Sequence, residues 1–123
     1  MNKRKIEEKR REIINLIRPS NRSGSHAGCF RAYASESEEH IRKKFEVWLT
    51  LSKLGFEVYT EAILNDNKRP DILAVKNGRM FIYEIIESET EEECKQKILS
   101  YPNAFACHII KDLNDIKQIA KEI

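Results

Sequence analysis

From Lys3 to Ile17 apolar residues recur at a helical period: Ile6, Ile13, Ile14 and Ile17 form a narrow stripe, and Pro19 stops the helix it predicts. Residues 19–34 hold Pro, Ser, Asn and two Gly without period and read as a loop or flexible linker. Helical spacing returns with Ile41, Phe45, Trp48, Leu49 and Ser52, widened by Val47, Leu51 and Leu54. Ser35 with Glu38 forms a capping box for this helix, Ser37 is an alternative cap, and Gly55 ends it.

The period then changes to two. Phe56–Leu64 predicts a first strand, Asn65-Asp66-Asn67 a turn and Asp71–Lys76 a second strand. Asn77-Gly78 is a strong hairpin signal that pairs the second strand with a third, Arg79–Glu87. After Thr90 a helix runs to about Tyr101, and Pro102-Asn103 breaks it. Ala104–Ile110 is short and apolar, as suits a buried strand reached by a crossover. An amphipathic helix over Leu113–Ile123 closes the chain, with Leu113, Ile116, Ile119, Ala120 and Ile123 on one side. This order predicts one α/β sandwich with a mixed sheet: a basic helix and flexible linker over 1–34, then an α/β domain over 35–123.

The chain has 123 residues, enough for one core, with 41% apolar and 34% charged residues. A net charge of +2 excludes binding nucleic acid by bulk charge alone. The charge is unevenly spread, however. Residues 1–22 carry eight basic side chains (Lys3, Arg4, Lys5, Lys9, Arg10, Arg11, Arg18, Arg22) against three acidic ones, so the rest is mildly acidic. Lys3, Arg4, Lys5, Arg10, Arg11 and Arg22 are therefore candidate nucleic-acid contacts, and a solvated helix with local ion pairs is the alternative. No apolar run is long enough to cross a bilayer, and no secretory signal is apparent. Three widely spaced cysteines suit reduced thiols in a cytoplasm-like compartment.

Candidate chemistry lies between Arg69 and Glu89. A two-residue turn at Asn77-Gly78 carries Asp71 opposite Glu84, so the two carboxylates share a face. Glu84 interrupts an apolar strand, and an acid there needs a charged partner, a metal or a base. Two converging carboxylates suit Mg²⁺. Turn formation at Asp71, a structural ion pair at Glu84 and helix-dipole roles for Glu38 and Glu39 are the plainer readings. The run Glu87, Glu89, Glu91, Glu92 and Glu93 reads as a solvated face, His108 as a core histidine, and His40 as an edge of the site.

Pro70-Asp71 followed by Glu84, within this order of elements over about Ser35–Ile110, resembles the PD-(D/E)xK nuclease superfamily, the restriction-endonuclease-like fold. The resemblance implies an α-β-β-β-α-β core and a metal-dependent nuclease acting on DNA with Mg²⁺ or Mn²⁺. It also implies Asp71, Glu84 and the Ile85 carbonyl as metal ligands, with Glu38 or Glu39 as a further acid and Glu61 as an accessory one. Where the pattern expects Lys, two residues past Glu84, stands Ile86. Either the lysine is supplied from elsewhere, with Lys76, Lys95 and Lys97 as candidates, or the chemistry is lost and a silent DNA-binding or assembly module remains. A third reading has the apolar final helix form a homodimer.

Overall fold

The computed structural model describes residues 2–22, 26–86, 91–101 and 106–122. Glu87, Glu89, Thr90, Pro102-Asn103 and the expected start of the fourth strand lie outside the described residues.

Four helices and a four-stranded mixed sheet follow in the predicted order. They are α1 (Lys3–Ile14), α2 (Glu38–Lys53), β1 (Glu57–Thr60), β2 (Ile72–Lys76), β3 (Arg79–Ile85), α3 (Glu91–Leu99), β4 (Ala106–Ile110) and α4 (Leu113–Glu122). The sheet order is β1-β2-β3-β4, with β1-β2 and β2-β3 antiparallel and β3-β4 parallel. Asn77 and Gly78 both adopt positive φ, as a two-residue hairpin turn requires. Gly78 also lets α1 approach: a Cβ there would sit 3.1 Å from Lys9 Cβ. Lys76 pairs with Arg79 and Ile72 with Tyr83, which is the register expected from the turn.

Each sheet face buries its own core. One face packs Val47 and Leu51 of α2 and Ile116 and Ile119 of α4 on Val58, Ile72, Ala74, Tyr83 and Ile85. The other face packs Ile13, Ile17 and Tyr101 on Tyr59, Leu73, Val75 and Ile82. The alternation along β1–β3 sends successive side chains to opposite layers.

Several boundaries differ from expectation, each for a local reason. Ser37, not Ser35, caps α2, accepting a hydrogen bond from His40 N at 3.1 Å. β1 stops at Thr60 because Glu61 takes φ +60°. The segment read as a basic helix and flexible linker is anchored to the rest. α1 is capped by Asn2, and beyond it Ile17 bridges Leu64, Gly28 N donates to Val58 O, and Arg31 N donates to Thr60 Oγ1. Among the described residues no helix is long and apolar enough to cross a membrane.

Candidate active site

The hairpin register that places Ile72 opposite Tyr83 brings the next residues, Asp71 and Glu84, side by side at the end of the strands. Asp71 lies one residue before β2. Its Oδ2 accepts the Ile85 N–H at 2.8 Å, tying it across the ladder, and its Oδ1 lies 3.7 Å from His40 Nε2. Glu84 is fully buried. Its Oε1 accepts the Tyr101 hydroxyl, and its Oε2 lies 3.0 Å from Lys97 Nζ. Lys97, in the last turn of α3, and Tyr101, two residues past its end, both reach Glu84.

Electrostatics separate the two carboxylates. Burial, then the Asp71 charge, push Glu84 up to about 7, although Lys97 and Tyr101 oppose the shift. Burial also pulls Asp71 upward, but the hydrogen bonds from His40 and Ile85 N outweigh it and hold Asp71 below the ordinary range. The unfolded chain deprotonates Glu84 near 4.5 and the folded chain near 7. Between those values the folded state carries the extra proton, so stability falls as pH rises. In metal-free buffer, Glu84→Gln is expected to remove about 2–3 kcal/mol of this loss between pH 4.5 and 7. Urea melts of both proteins across that range check the difference, and equal slopes would refute it.

A second group of charges adjoins the first. His40 and Lys44 lie four residues apart on one face of α2, and Glu36, just before the Ser37 cap, turns back onto them. Lys44 is fully buried and holds Glu36 Oε1 and Oε2 at 2.7 and 2.8 Å and Glu61 Oε1 at 2.6 Å. Burial raises the Glu61 carboxyl despite its bond to Lys44. His40 Nε2 lies 3.3 Å from Glu36 Oε2, linking this group to Asp71. The positive φ of Glu61 is the bend that points its carboxylate at Lys44.

The expected site residues therefore sort by position. Asp71, Glu84, Ile85 and Lys97 come together. Lys76 does not: it ends β2 at the hairpin, roughly 16 Å along the strand from Asp71. Its Nζ donates to Leu54 O and sits over the Phe56 ring. Lys95 is two residues from Lys97, on another face of α3, exposed and 4.0 Å from Glu91. Glu38 and Glu39 point outward, exposed and paired with Arg42 and Lys43. Glu36, just before the Ser37 cap, is the acid of this segment that turns inward, reaching Asp71 through His40.

Among the basic candidates, Arg10 forms a two-pronged pair with Glu57, both bonds 2.8 Å. Arg22 donates to Ile17 O at 2.7 Å and Asn15 O at 3.3 Å, closing the end of α1. Both serve the fold. Lys3, Arg4, Lys5 and Arg11 are exposed, with Arg4 near Glu8 and Arg11 near Glu7. Lys9 beside Gly78 places this part of α1 at the hairpin end, away from the carboxylates. The segment leading into Asp71 carries two further cations, Lys68, which donates to Ser100 O, and Arg69, whose guanidinium lies 5.2 Å from the Tyr33 ring centre.

Sequence reasoning missed Glu36, Lys44 and Tyr101. The i, i+4 series 36-40-44 and the pair 97-101 were the signals that would have found them. Among the described residues, no group of three or more His, Cys, Asp or Glu side chains is arranged to hold a metal ion. Compared with protein-family models, with curated proteins and with solved structures, the chain shows no match.

Proposed function

We propose that this α/β domain is a metal-dependent nuclease of the restriction-endonuclease-like type, hydrolysing DNA phosphodiester bonds. The observation that carries the reading is the approach of Lys97 to Glu84. The ammonium that Ile86 does not provide arrives from α3, 3.0 Å from the carboxylate that partners Asp71.

The donor set fits Mg²⁺ or Mn²⁺ in chemistry and charge. Mg²⁺ is bound by one or two carboxylates with water and phosphate oxygens, so a two-carboxylate site suffices. Four clustered carboxylates (Glu36, Glu61, Asp71, Glu84) face two ammonium groups (Lys44, Lys97) and His40. Burial and the Asp71 charge already raise Glu84 to about 7, and a divalent cation held by Asp71 and Glu84 would relieve that repulsion. Asp71, Glu84 and the Ile85 carbonyl would hold it. When bound, the ion would supply Lewis-acid stabilisation of charge on the phosphodiester and lower the pKa of water.

The chain's own groups do the rest. Tyr101 fixes Glu84 through one oxygen and leaves the other to Lys97. Ile85 N and His40 fix Asp71 from two directions. Lys97 sits where it can orient the attacking water and meet developing negative charge. On this reading Lys68 and Arg69, just before Asp71 in the chain, would contact backbone phosphates, while Lys3, Arg4, Lys5 and Arg11 would meet only a duplex that spans the length of the sheet.

One observation favours a second reading, a silent DNA-binding or assembly module. Each oxygen of Asp71 and Glu84 already has a partner within the fold. Calorimetric titration with Mn²⁺ and Mg²⁺ separates the two. The nuclease reading expects saturable Mn²⁺ binding that Asp71→Asn weakens at least about tenfold. Binding that is absent, or unchanged in the variant, supports the silent module.

A further inference from the structure

At the hairpin end, opposite the carboxylates, a cavity of about 630 Å³ opens between the β3-β4 side of the sheet and α4. Its size is that of a small-molecule site. Four rings line it: Phe56, Phe81, Tyr83 and His108. Tyr83 and His108 stack at 5.1 Å and 21°, while Phe81 and His108 stand wider, at 6.4 Å and 28°. Phe56 meets Phe81 edge-on at 5.6 Å. Two cations complete the wall at the hairpin. Arg79 lies 5.3 Å from the centre of the Phe81 ring and Lys76 5.4 Å from that of Phe56. Asp115, the acid in this wall, is committed to the start of α4, accepting the Lys111 and Asp112 N–H groups.

We propose that this cavity binds a nucleoside 5′-phosphate, its base against the ring cluster and its phosphate at Arg79 and Lys76. The chemistry that selects such a ligand is the combination of parts. Phe56 and Tyr83 are buried beneath, so the half-buried Phe81 and His108 rings offer the stacking surface to a base, worth about 1–3 kcal/mol per base. The guanidinium offers a planar, two-pronged contact to phosphate. Lys76 spends one N–H on Leu54 O, and an ammonium has three. Lys9 of α1 stands beside Gly78 at this end of the sheet and adds a positive charge near the hairpin. The site shares no residue with the Asp71–Glu84 centre, and its occupancy does not depend on nuclease activity.

The ligand is either a free nucleotide or the 5′-phosphorylated end of a strand, and one experiment treats both. Calorimetric titration of the full chain with deoxyadenosine 5′-monophosphate is expected to show saturable binding in the micromolar range. Deoxyadenosine without its phosphate should bind at least tenfold more weakly. Arg79→Ala and His108→Ala should each weaken binding at least tenfold, whereas Asp71→Asn should leave it unchanged. Arg79 is exposed, so its variant is expected to melt with the wild type, and this is checked by circular dichroism. A 5′-phosphorylated deoxyoligonucleotide that competes with the mononucleotide identifies a strand end as ligand, and one that does not identifies the free nucleotide. Absence of saturable binding up to about 1 mM, or binding indifferent to Arg79→Ala, overturns the proposal.

Discussion

Replacing Lys44 with Met is expected to lower the unfolding free energy by about 3–5 kcal/mol, the usual loss when one partner of a buried ion pair is removed. For a chain of this length that corresponds to a fall in melting temperature of roughly 10–20 °C. The physical reason is what remains behind. Lys44 is fully buried and is bonded to both oxygens of Glu36 and one of Glu61. Met fills nearly the same volume, so little of the cost is a cavity. The cost is two carboxylates, with Asp71 close by, left without their ammonium. Adding Glu36→Gln and Glu61→Gln to the variant removes those charges and is expected to restore more than half of the stability. Chemical denaturation of the three proteins measures this. A loss below about 1 kcal/mol in the single variant would mean that Lys44 does not hold this group together.

The second large effect belongs to Lys97. On the nuclease reading, Lys97→Met is expected to cut Mg²⁺-dependent DNA cleavage about 10²–10³-fold, the range seen when a positioned group that stabilises transition-state charge is removed. The Lys97 side chain is partly exposed (42%) but its partner Glu84 is buried, so the variant is also expected to lose stability, and cleavage is compared on protein shown by circular dichroism to be folded. Lys95→Met and Lys76→Met serve as comparisons. The first removes an exposed pair with Glu91, the second a contact at the far end of β2. Both should retain cleavage within about threefold of wild type. If Lys95→Met instead matched the loss at Lys97, the assignment of the ammonium to Lys97 would fail.

The juxtaposition of Asp71 and Glu84 was legible in the sequence because Asn77-Gly78 permits one tight turn, and a two-residue turn sets the register of every pair behind it. The order of helices and strands was legible for a similar reason, since each element has a clear apolar period. What escaped notice was rotation about helix axes. Glu38 and Glu39 lie in the first turn of α2 but point outward, whereas Glu36 lies before the Ser37 cap and turns inward, a direction that spacing alone does not give. The apolar stripe of α3 is too weak to fix which of Lys95 and Lys97 faces the sheet; the contact of Lys97 with Glu84 fixes it. The basic excess of residues 1–22 was visible as a number, but not where it would lie. Ile13 and Ile17 bury α1 against the sheet, and Arg10 and Arg22 are spent on holding it there.

The account rests on Asp71, Glu84 and Lys97 forming one hydrolytic centre, and the most direct measurement is cleavage of DNA by the purified chain with Mg²⁺ or Mn²⁺. Supercoiled, linear and single-stranded substrates should be offered in parallel to the wild type, Asp71→Asn and Glu84→Gln, all shown to be folded. The account predicts metal-dependent cleavage by the wild type on at least one substrate, lost at least about 100-fold in both variants. Cleavage that survives in the variants, or a wild type that cuts none of the three substrates with either metal, would contradict it.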